Sequence, residues 1–292
     1  MISKITAIIM SIVALISNLS GLLPTSQIRY NNVSYGSHSR QVLDVVFPEN
    51  PEKNEGLVLF IHGGGWMTGD KSVFTKRIEN VSKAVGCITA TINYRYISED
   101  IYCTDQLNDI TAAIAKVKSM AETRGINCEK VMIVGISAGA HLSLLYSYTQ
   151  TAKSPVEICA VVSYCGPTDL RSQGFRNGFA GLDSTQATTL MSYLTGKNLF
   201  SLSKSKQDSA LYTYSPLKYV RKNCVPTLVV QGAKDVIVDV NDVRYFVDEL
   251  KKKEAEVTYY ELPDSGHDLS NDAYIISQSE KTFVDFVNLY IK

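Results

Sequence analysis

Residues 131–139 read VMIVGISAG, an apolar run that leads into a serine with a glycine two positions away on either side. The apolar run predicts a buried strand, and the residues after the serine have the pattern of a helix. A serine at the tip of such a strand-to-helix turn has a strained backbone, and Gly135 and Gly139 let the chain reverse without a clash. We therefore expect Ser137 at the carboxyl end of a central strand, as the candidate nucleophile.

A second glycine motif, HGGGW at residues 62–66, also follows an apolar run. Glycines let backbone amides approach a reacting carbonyl group without obstruction by side chains. We expect the amides of Gly64, Gly65 and Ala138 to form an oxyanion hole, to which the helix beginning at Ala138 adds the positive end of its dipole. Trp66 is expected to line the substrate pocket, and a purely structural role is the alternative.

The four histidines allow the base to be chosen by elimination, because a serine nucleophile needs an imidazole that removes its proton. His38 falls in an early turn, His62 belongs to the glycine motif, and His141 lies on the helix after the serine. Each of these three has a structural explanation. His267 lies in a polar loop between the last predicted strand and the last predicted helix, where such a base belongs. We predict that His267 is the base.

The carboxylate that orients the base is expected in the loop after the predicted strand at residues 226–231, and Asp235 lies there. Asp239 is the competitor, but it precedes a helical pattern and is typical of an N-cap. Asp268 adjoins His267 in sequence, which is awkward for reaching the far ring nitrogen. Asp235 is therefore the predicted orienting group.

The composition sets limits on other functions. The chain has 292 residues, enough for one large α/β domain, and its 29 basic residues balance 29 acidic ones, which gives nucleic-acid binding no support. No Cys-x-x-Cys pair and no zinc spacing of histidines is present, so the spacing gives no support to a zinc site. The sequence leaves open a disulfide among Cys103, Cys128, Cys165 and Cys224, or free buried thiols.

Strand and helix patterns alternate along most of the chain, which predicts a mostly parallel central sheet flanked by helices. We assign this α/β domain to residues 27–292. Residues 170–214 interrupt the alternation with helical pieces and no strand, so we expect a small cap insertion there.

Residues 1–26 have the layout of a secretory signal or membrane anchor, because Lys4 precedes an apolar run at residues 5–16. This segment predicts a secreted protein or one attached to a membrane. A helix that packs on the domain is the alternative, and the protein would then be cytoplasmic.

With these motifs the sequence resembles the α/β-hydrolases of the hormone-sensitive-lipase-like and bacterial feruloyl/acetyl esterase (BD-FAE-like) group. The likeness covers about residues 30–292. Further matching motifs are LDV at 43–45, TGDK at 68–71, NYRY at 93–96, SPL at 215–217, GAKD at 232–235 and GH at 266–267. The resemblance implies an α/β-hydrolase fold and a carboxylic ester hydrolase with Ser137, Asp235 and His267 as its triad, without metal or organic cofactor.

The resemblance is specific for fold and triad and loose for substrate. The leading hypothesis is a serine esterase that acts on small-molecule or carbohydrate esters with short acyl groups, such as acetyl or feruloyl groups. Arylformamidases have a similar HGG-x-W loop, so an amidase or peptidase on the same triad is an alternative. Lipase-like members carry an acidic residue where this chain has Ile136. A non-catalytic binding protein would lack a triad residue or the glycine loop, and this sequence has both.

Overall fold

The computed structural model describes residues 27–48, 56–173 and 181–291. Within these ranges the strands are β1 (Gln27–Ser34), β2 (Val42–Pro48), β3 (Gly56–Ile61), β4 (Ile88–Ile92), β5 (Lys130–Ile136), β6 (Glu157–Tyr164), β7 (Thr227–Gly232) and β8 (Val257–Leu262). The α-helices are α1 (Thr75–Val85), α2 (Cys103–Glu122), α3 (Ala138–Thr149), α4 (Ser184–Thr195), α5 (Lys204–Thr213), α6 (Val240–Lys252) and α7 (Ala273–Tyr290).

The strands form one sheet in the order β1-β2-β4-β3-β5-β6-β7-β8. Strands β3 to β8 run parallel to one another, whereas β2 pairs antiparallel with both β1 and β4. Every residue of β3, β4 and β7 is buried, as expected for strands covered on both faces. This arrangement confirms the predicted mostly parallel sheet flanked by helices.

Alternation along β3 divides the apolar core into two layers, because successive side chains of a strand point to opposite faces. Leu57 and Leu59 pack in the layer that contains Ile110 and Ile114 of α2. Their neighbour Phe60 packs on the opposite layer, which contains residues of α1 and α7. The sheet separates these layers, and functional groups of such folds lie on the loops at the carboxyl ends of the parallel strands.

All six cysteines lie within the described ranges, and all are buried and free. The structure therefore has the free thiols that the sequence left as one of two alternatives. Burial raises the pKa of the Cys128 thiol to about 12, so this thiol is protonated at neutral pH.

Two segments of the sequence predictions lie partly or wholly outside the described residues. The predicted signal or anchor segment, residues 1–26, is one of them, as are residues 174–180 of the predicted cap insertion. The rest of that insertion contains α4 and α5. Across the part of the chain that the structure describes, no helix combines the length and the apolar character needed to cross a membrane.

His141 joins three elements in the interior. Its ring is fully buried on α3, where Nδ1 accepts a hydrogen bond from the Trp66 indole N–H at 3.1 Å. On the other side, Nε2 lies 2.7 Å from the carbonyl oxygen of Tyr214, so Nε2 carries the proton and donates it. The ring is therefore held as a neutral tautomer, and burial lowers its pKa to about 4.

Helix α3 starts in close contact with the end of β3, and this contact leaves no room for a side chain at Gly139. A Cβ at this position would lie 2.2 Å from the carbonyl oxygen of Ile61 and 2.4 Å from that of His62. Gly139→Ala should therefore lower the free energy of unfolding by about 3 kcal/mol. Gly125→Ala is the control, because it also adds one methyl group, at an exposed site with positive φ and no atom within 4 Å, and should cost about 1 kcal/mol. Equal losses of unfolding free energy in the two variants, measured by urea unfolding, would contradict the close contact at Gly139.

The neutral His141 ring predicts a specific dependence of stability on pH. The folded pKa of about 4 lies below the ordinary value near 6.5. Between these values the unfolded chain binds a proton that the folded chain does not, so this residue lowers stability as the pH falls. In His141→Gln, the slope of unfolding free energy against pH near pH 5 should decrease by about 1.4 kcal/mol per pH unit relative to wild type. Identical slopes in urea titrations from pH 7 to 5 would show that His141 is not held neutral.

Candidate active site

Ser137 stands at a sharp turn between β5 and α3. Its φ of 53° and ψ of −123° lie outside the regions that side-chain-bearing residues commonly adopt. The Ser137 amide donates to the carbonyl oxygen of Tyr164 on β6 at 2.8 Å, and the His141 amide donates to the Ser137 carbonyl at 3.0 Å. A Cβ on Gly135 would lie 2.3 Å from the carbonyl oxygen of Gly139. Both flanking glycines are therefore required by the turn, as the motif predicts.

The structure brings Ser137, His267 and Asp235 together in a hydrogen-bonded chain. His267 Nε2 lies 3.0 Å from Ser137 Oγ, and His267 Nδ1 lies 2.7 Å from Asp235 Oδ2. The three residues come from the turn after β5, the loop after β8 and the loop after β7, all at the carboxyl edge of the sheet. Of the four histidines, which all lie in the described ranges, only His267 has its imidazole hydrogen-bonded to the Ser137 hydroxyl.

Three donors besides the imidazole fix the Asp235 carboxylate. Its Oδ1 accepts from the backbone amides of Ile237 at 2.8 Å and Val238 at 2.9 Å. Its Oδ2 accepts from Gln231 Nε2 at 2.9 Å. Gln231 was not identified from the sequence, although a polar residue in the fully buried strand β7 is a signal for such a role. These donors hold the Asp235 carboxylate in one orientation, in which Oδ2 faces His267.

The two competing carboxylates are engaged elsewhere. Asp239 is the N-cap of α6 and accepts from the Asn241 amide at 2.9 Å. The Asp268 carboxylate accepts from the Ser270 hydroxyl at 2.8 Å. Within the described ranges, neither of them is hydrogen-bonded to His267.

The glycine motif lies against the serine. A Cβ on Gly63 would be 3.1 Å from the Ser137 Cβ, so the loop after β3 approaches Ser137 closely. The backbone amides of Gly64, Gly65 and Ala138 donate no hydrogen bond to any residue that the structure describes. Three unpaired donors beside a serine suit the oxyanion hole that the sequence predicts.

Trp66 is oriented away from solvent. Its side chain is 1% exposed, its indole N–H donates to His141, and the two rings meet edge to face with centroids 5.2 Å apart. The Trp66 carbonyl accepts from Gln106 Nε2 at 3.0 Å. This geometry favours the structural alternative over the predicted place in the substrate pocket.

Cys165 is a neighbour of the triad that sequence reasoning missed. Its sulfur and donor atoms of Asp235 and His267 lie within 4.8 Å of one another, a grouping that could in principle hold a metal ion. However, Asp235 and His267 already bind each other, and burial together with the Asp235 charge raises the pKa of the Cys165 thiol well above its ordinary value. A protonated thiol is a poor metal ligand. The donor set therefore does not favour a metal ion.

The comparison with known proteins agrees with this geometry. Esterase LipC of Mycobacterium tuberculosis is 25% identical over 246 residues, which are 80% of this chain and 58% of that protein. The probable carboxylic ester hydrolase LipM of the same organism is 27% identical over 251 residues, 81% of this chain and 55% of the relative. The chain thus spans little more than half the length of these curated relatives.

Solved structures support the same fold. A truncated carbohydrate esterase from gut microbiota superposes with a TM-score of 0.71 at 21% identity, covering 90% of this chain and 96% of that one. A bacterial heroin esterase gives a TM-score of 0.73 at 17% identity, with 97% and 89% covered. These similarities establish an α/β-hydrolase fold. The BD-FAE family model matches residues 43–250, which contain the glycine motif, the serine turn and Asp235, and the chain therefore belongs to the BD-FAE family.

Proposed function

We propose that this chain is a serine carboxylesterase that hydrolyses short-chain acyl esters, with acetyl or feruloyl esters of carbohydrates as the substrate class. The observation that carries the proposal is the hydrogen-bonded chain from Ser137 through His267 to Asp235. A serine hydroxyl beside a buried, oriented imidazole is the arrangement that acyl transfer requires.

In the proposed reaction, Ser137 Oγ attacks the ester carbonyl carbon while His267 Nε2 removes the hydroxyl proton. The carbonyl oxygen becomes an oxyanion, which the amides of Gly64, Gly65 and Ala138 stabilise. When the tetrahedral intermediate collapses, His267 gives the proton to the leaving alcohol and an acyl-serine remains.

The second half of the reaction repeats these roles with water. His267 removes a proton from the water molecule, the resulting hydroxide attacks the acyl-serine, and the carboxylic acid leaves as Ser137 regains its proton. Asp235 accepts from His267 Nδ1 throughout, which fixes the tautomer and stabilises the imidazolium that forms in each half.

The substrate class in this proposal draws on the family and on the relatives. Both curated relatives are named as ester hydrolases, and family membership suggests acetyl or feruloyl groups. We further propose that α4 and α5 belong to a small cap over the carboxyl edge of the sheet. Their position between β6 and β7 supports this, as does the packing of Leu190 and Leu194 in the core layer that contains Trp66.

The role of Ser137 gives the first test of function. Ser137→Ala should abolish hydrolysis of p-nitrophenyl acetate and labelling by a fluorophosphonate, because the attacking oxygen is removed. The circular dichroism spectrum should stay that of wild type. Ser143→Ala is the control, since its hydroxyl bonds the Gly139 carbonyl within the same helix and has no part in the proposed reaction.

Substrate preference separates the alternatives in the same assay. Wild type should turn over p-nitrophenyl acetate much faster than p-nitrophenyl decanoate or N-formylkynurenine. Preference for the decanoate would contradict the short-chain assignment. Preference for N-formylkynurenine would show that the chain is an amidase that uses the same residues. A wild-type protein with neither turnover nor labelling would contradict the proposed catalysis altogether.

The role of Asp235 is tested against its neighbour. Asp235→Asn should lower kcat by about four orders of magnitude, because the imidazole loses its orienting carboxylate. Asp239→Ala should leave turnover near wild type and lower unfolding stability by about 1 kcal/mol, because it removes only the cap of α6. Turnover and urea unfolding are measured for both variants. Near-normal turnover in Asp235→Asn would show that Asp235 is not the carboxylate that orients His267.

A further inference from the structure

Arg40 makes contact with the glycine motif from outside the site described above. It lies in the turn between β1 and β2, and its Nε donates to the Tyr94 carbonyl oxygen at 2.9 Å. Its Nη2 lies 3.2 Å from both the Gly69 carbonyl oxygen and His62 Nε2. The guanidinium carbon is 3.6 Å from the centre of the Tyr96 ring. One side chain thus joins both ends of the loop after β3 to the loop after β4.

These contacts determine which nitrogen of His62 carries the proton. A guanidinium group can only donate hydrogen bonds, so His62 Nε2 is the acceptor from Arg40. The proton must then be on Nδ1, which lies 2.6 Å from the carbonyl oxygen of Gly63 and donates to it. Burial, reinforced by the charge of Arg40, lowers the pKa of His62 to about 4, and Tyr94 stacks on the ring at 4.3 Å. The imidazole is therefore a neutral ring in a fixed tautomer.

The tautomer in turn orients a peptide group of the oxyanion loop. In a planar trans peptide the C=O and the next N–H point in opposite directions. The Gly63 carbonyl is held by His62 Nδ1–H and faces the Tyr94 hydroxyl at 3.4 Å. The Gly64 N–H is consequently directed away from His62. It has no acceptor among the residues that the structure describes.

We infer that Arg40 is a positioning residue for the oxyanion hole, which acts by selecting the His62 tautomer that holds the Gly63 carbonyl and thereby aims the Gly64 amide. With the other tautomer, an unprotonated Nδ1 would face the Gly63 oxygen, and the two lone pairs would repel each other. The inference rests on the proposed function, since the Gly64 amide matters to the rate only when an oxyanion forms beside Ser137.

A purely structural role for Arg40 is the competing explanation, and Arg124 provides a matched control. Arg124 also packs a guanidinium group on aromatic rings, with 4.5 Å to the centres of both Tyr30 and Phe47. It donates to the Met120 carbonyl near the end of α2 and to the Thr123 hydroxyl, and among the described residues neither of these acceptors belongs to the proposed site. Arg124→Met therefore removes a similar amount of packing without touching the glycine motif.

Kinetics distinguish the two roles. Arg40→Met should lower kcat for p-nitrophenyl acetate about tenfold or more, while KM changes less than about twofold, because the lost stabilisation belongs to the transition state. The inhibition constant of a trifluoromethyl ketone, which forms an oxyanion with the serine, should rise by the same factor as kcat/KM falls. Arg124→Met should leave kcat, KM and the inhibition constant at their wild-type values and lower only the melting temperature.

A double-mutant cycle tests whether Arg40 acts through His62. His62→Phe keeps a ring against Tyr94 but cannot donate to Gly63. If Arg40 works through the imidazole, Arg40→Met should cause no further loss of kcat in the His62→Phe background. Additive losses, or a wild-type kcat in Arg40→Met alone, would overturn the inference.

The tautomer itself provides a readout that does not depend on turnover. Nitrogen-15 NMR of wild type should show His62 with its proton on Nδ1, and Arg40→Met should shift the ring toward the Nε2–H form. A wild-type ring already protonated on Nε2 would overturn the inference even if the enzyme is active. If wild type shows no turnover and no fluorophosphonate labelling, the proposed function fails, while the NMR result still decides whether Arg40 sets the tautomer.

Discussion

The backbone of Ser137 is the constraint on which the rest of the site depends. A side-chain-bearing residue at φ 53° and ψ −123° persists only when its surroundings hold it there. Those surroundings are the bond to Tyr164 on the neighbouring strand and the start of α3 directly against the end of β3. The sheet and the first turn of α3 thus fix the position of Ser137. His267, itself bonded to Asp235, is hydrogen-bonded to a serine whose backbone is already held in place.

The histidines of the described ranges differ in how their ring nitrogens are engaged. His62 and His141 are buried, each has both ring nitrogens engaged, and their lowered pKa values keep them uncharged at neutral pH. Neither therefore places a positive charge of its own beside the glycine motif at residues 62–66. Of the buried imidazoles in the described ranges, His267 differs from these two because it is hydrogen-bonded to a carboxylate on one side and to a serine hydroxyl on the other.

Local sequence patterns predicted the features that depend on local physics. The strands, the strained turn at Ser137 and the N-cap at Asp239 each follow from a few adjacent residues. What could not be predicted depends on contacts between distant segments. Arg40 meets a histidine 22 positions away, and Trp66 is paired with a histidine 75 positions away. The indole could equally have lined a pocket, because no local rule decides which partner an aromatic ring finds in three dimensions.

The hydrogen bond from His141 to the Tyr214 carbonyl has a consequence for how this family can diversify. It joins the residue that follows α5 to α3, the helix that follows Ser137. Changes in the length of connecting loops cost a chain little entropy. Under the proposed function, insertions and deletions between β6 and Tyr214 can therefore change the proposed cap without moving Ser137, His267 or Asp235. Changes in substrate choice during evolution are expected to accumulate on that side of the anchor.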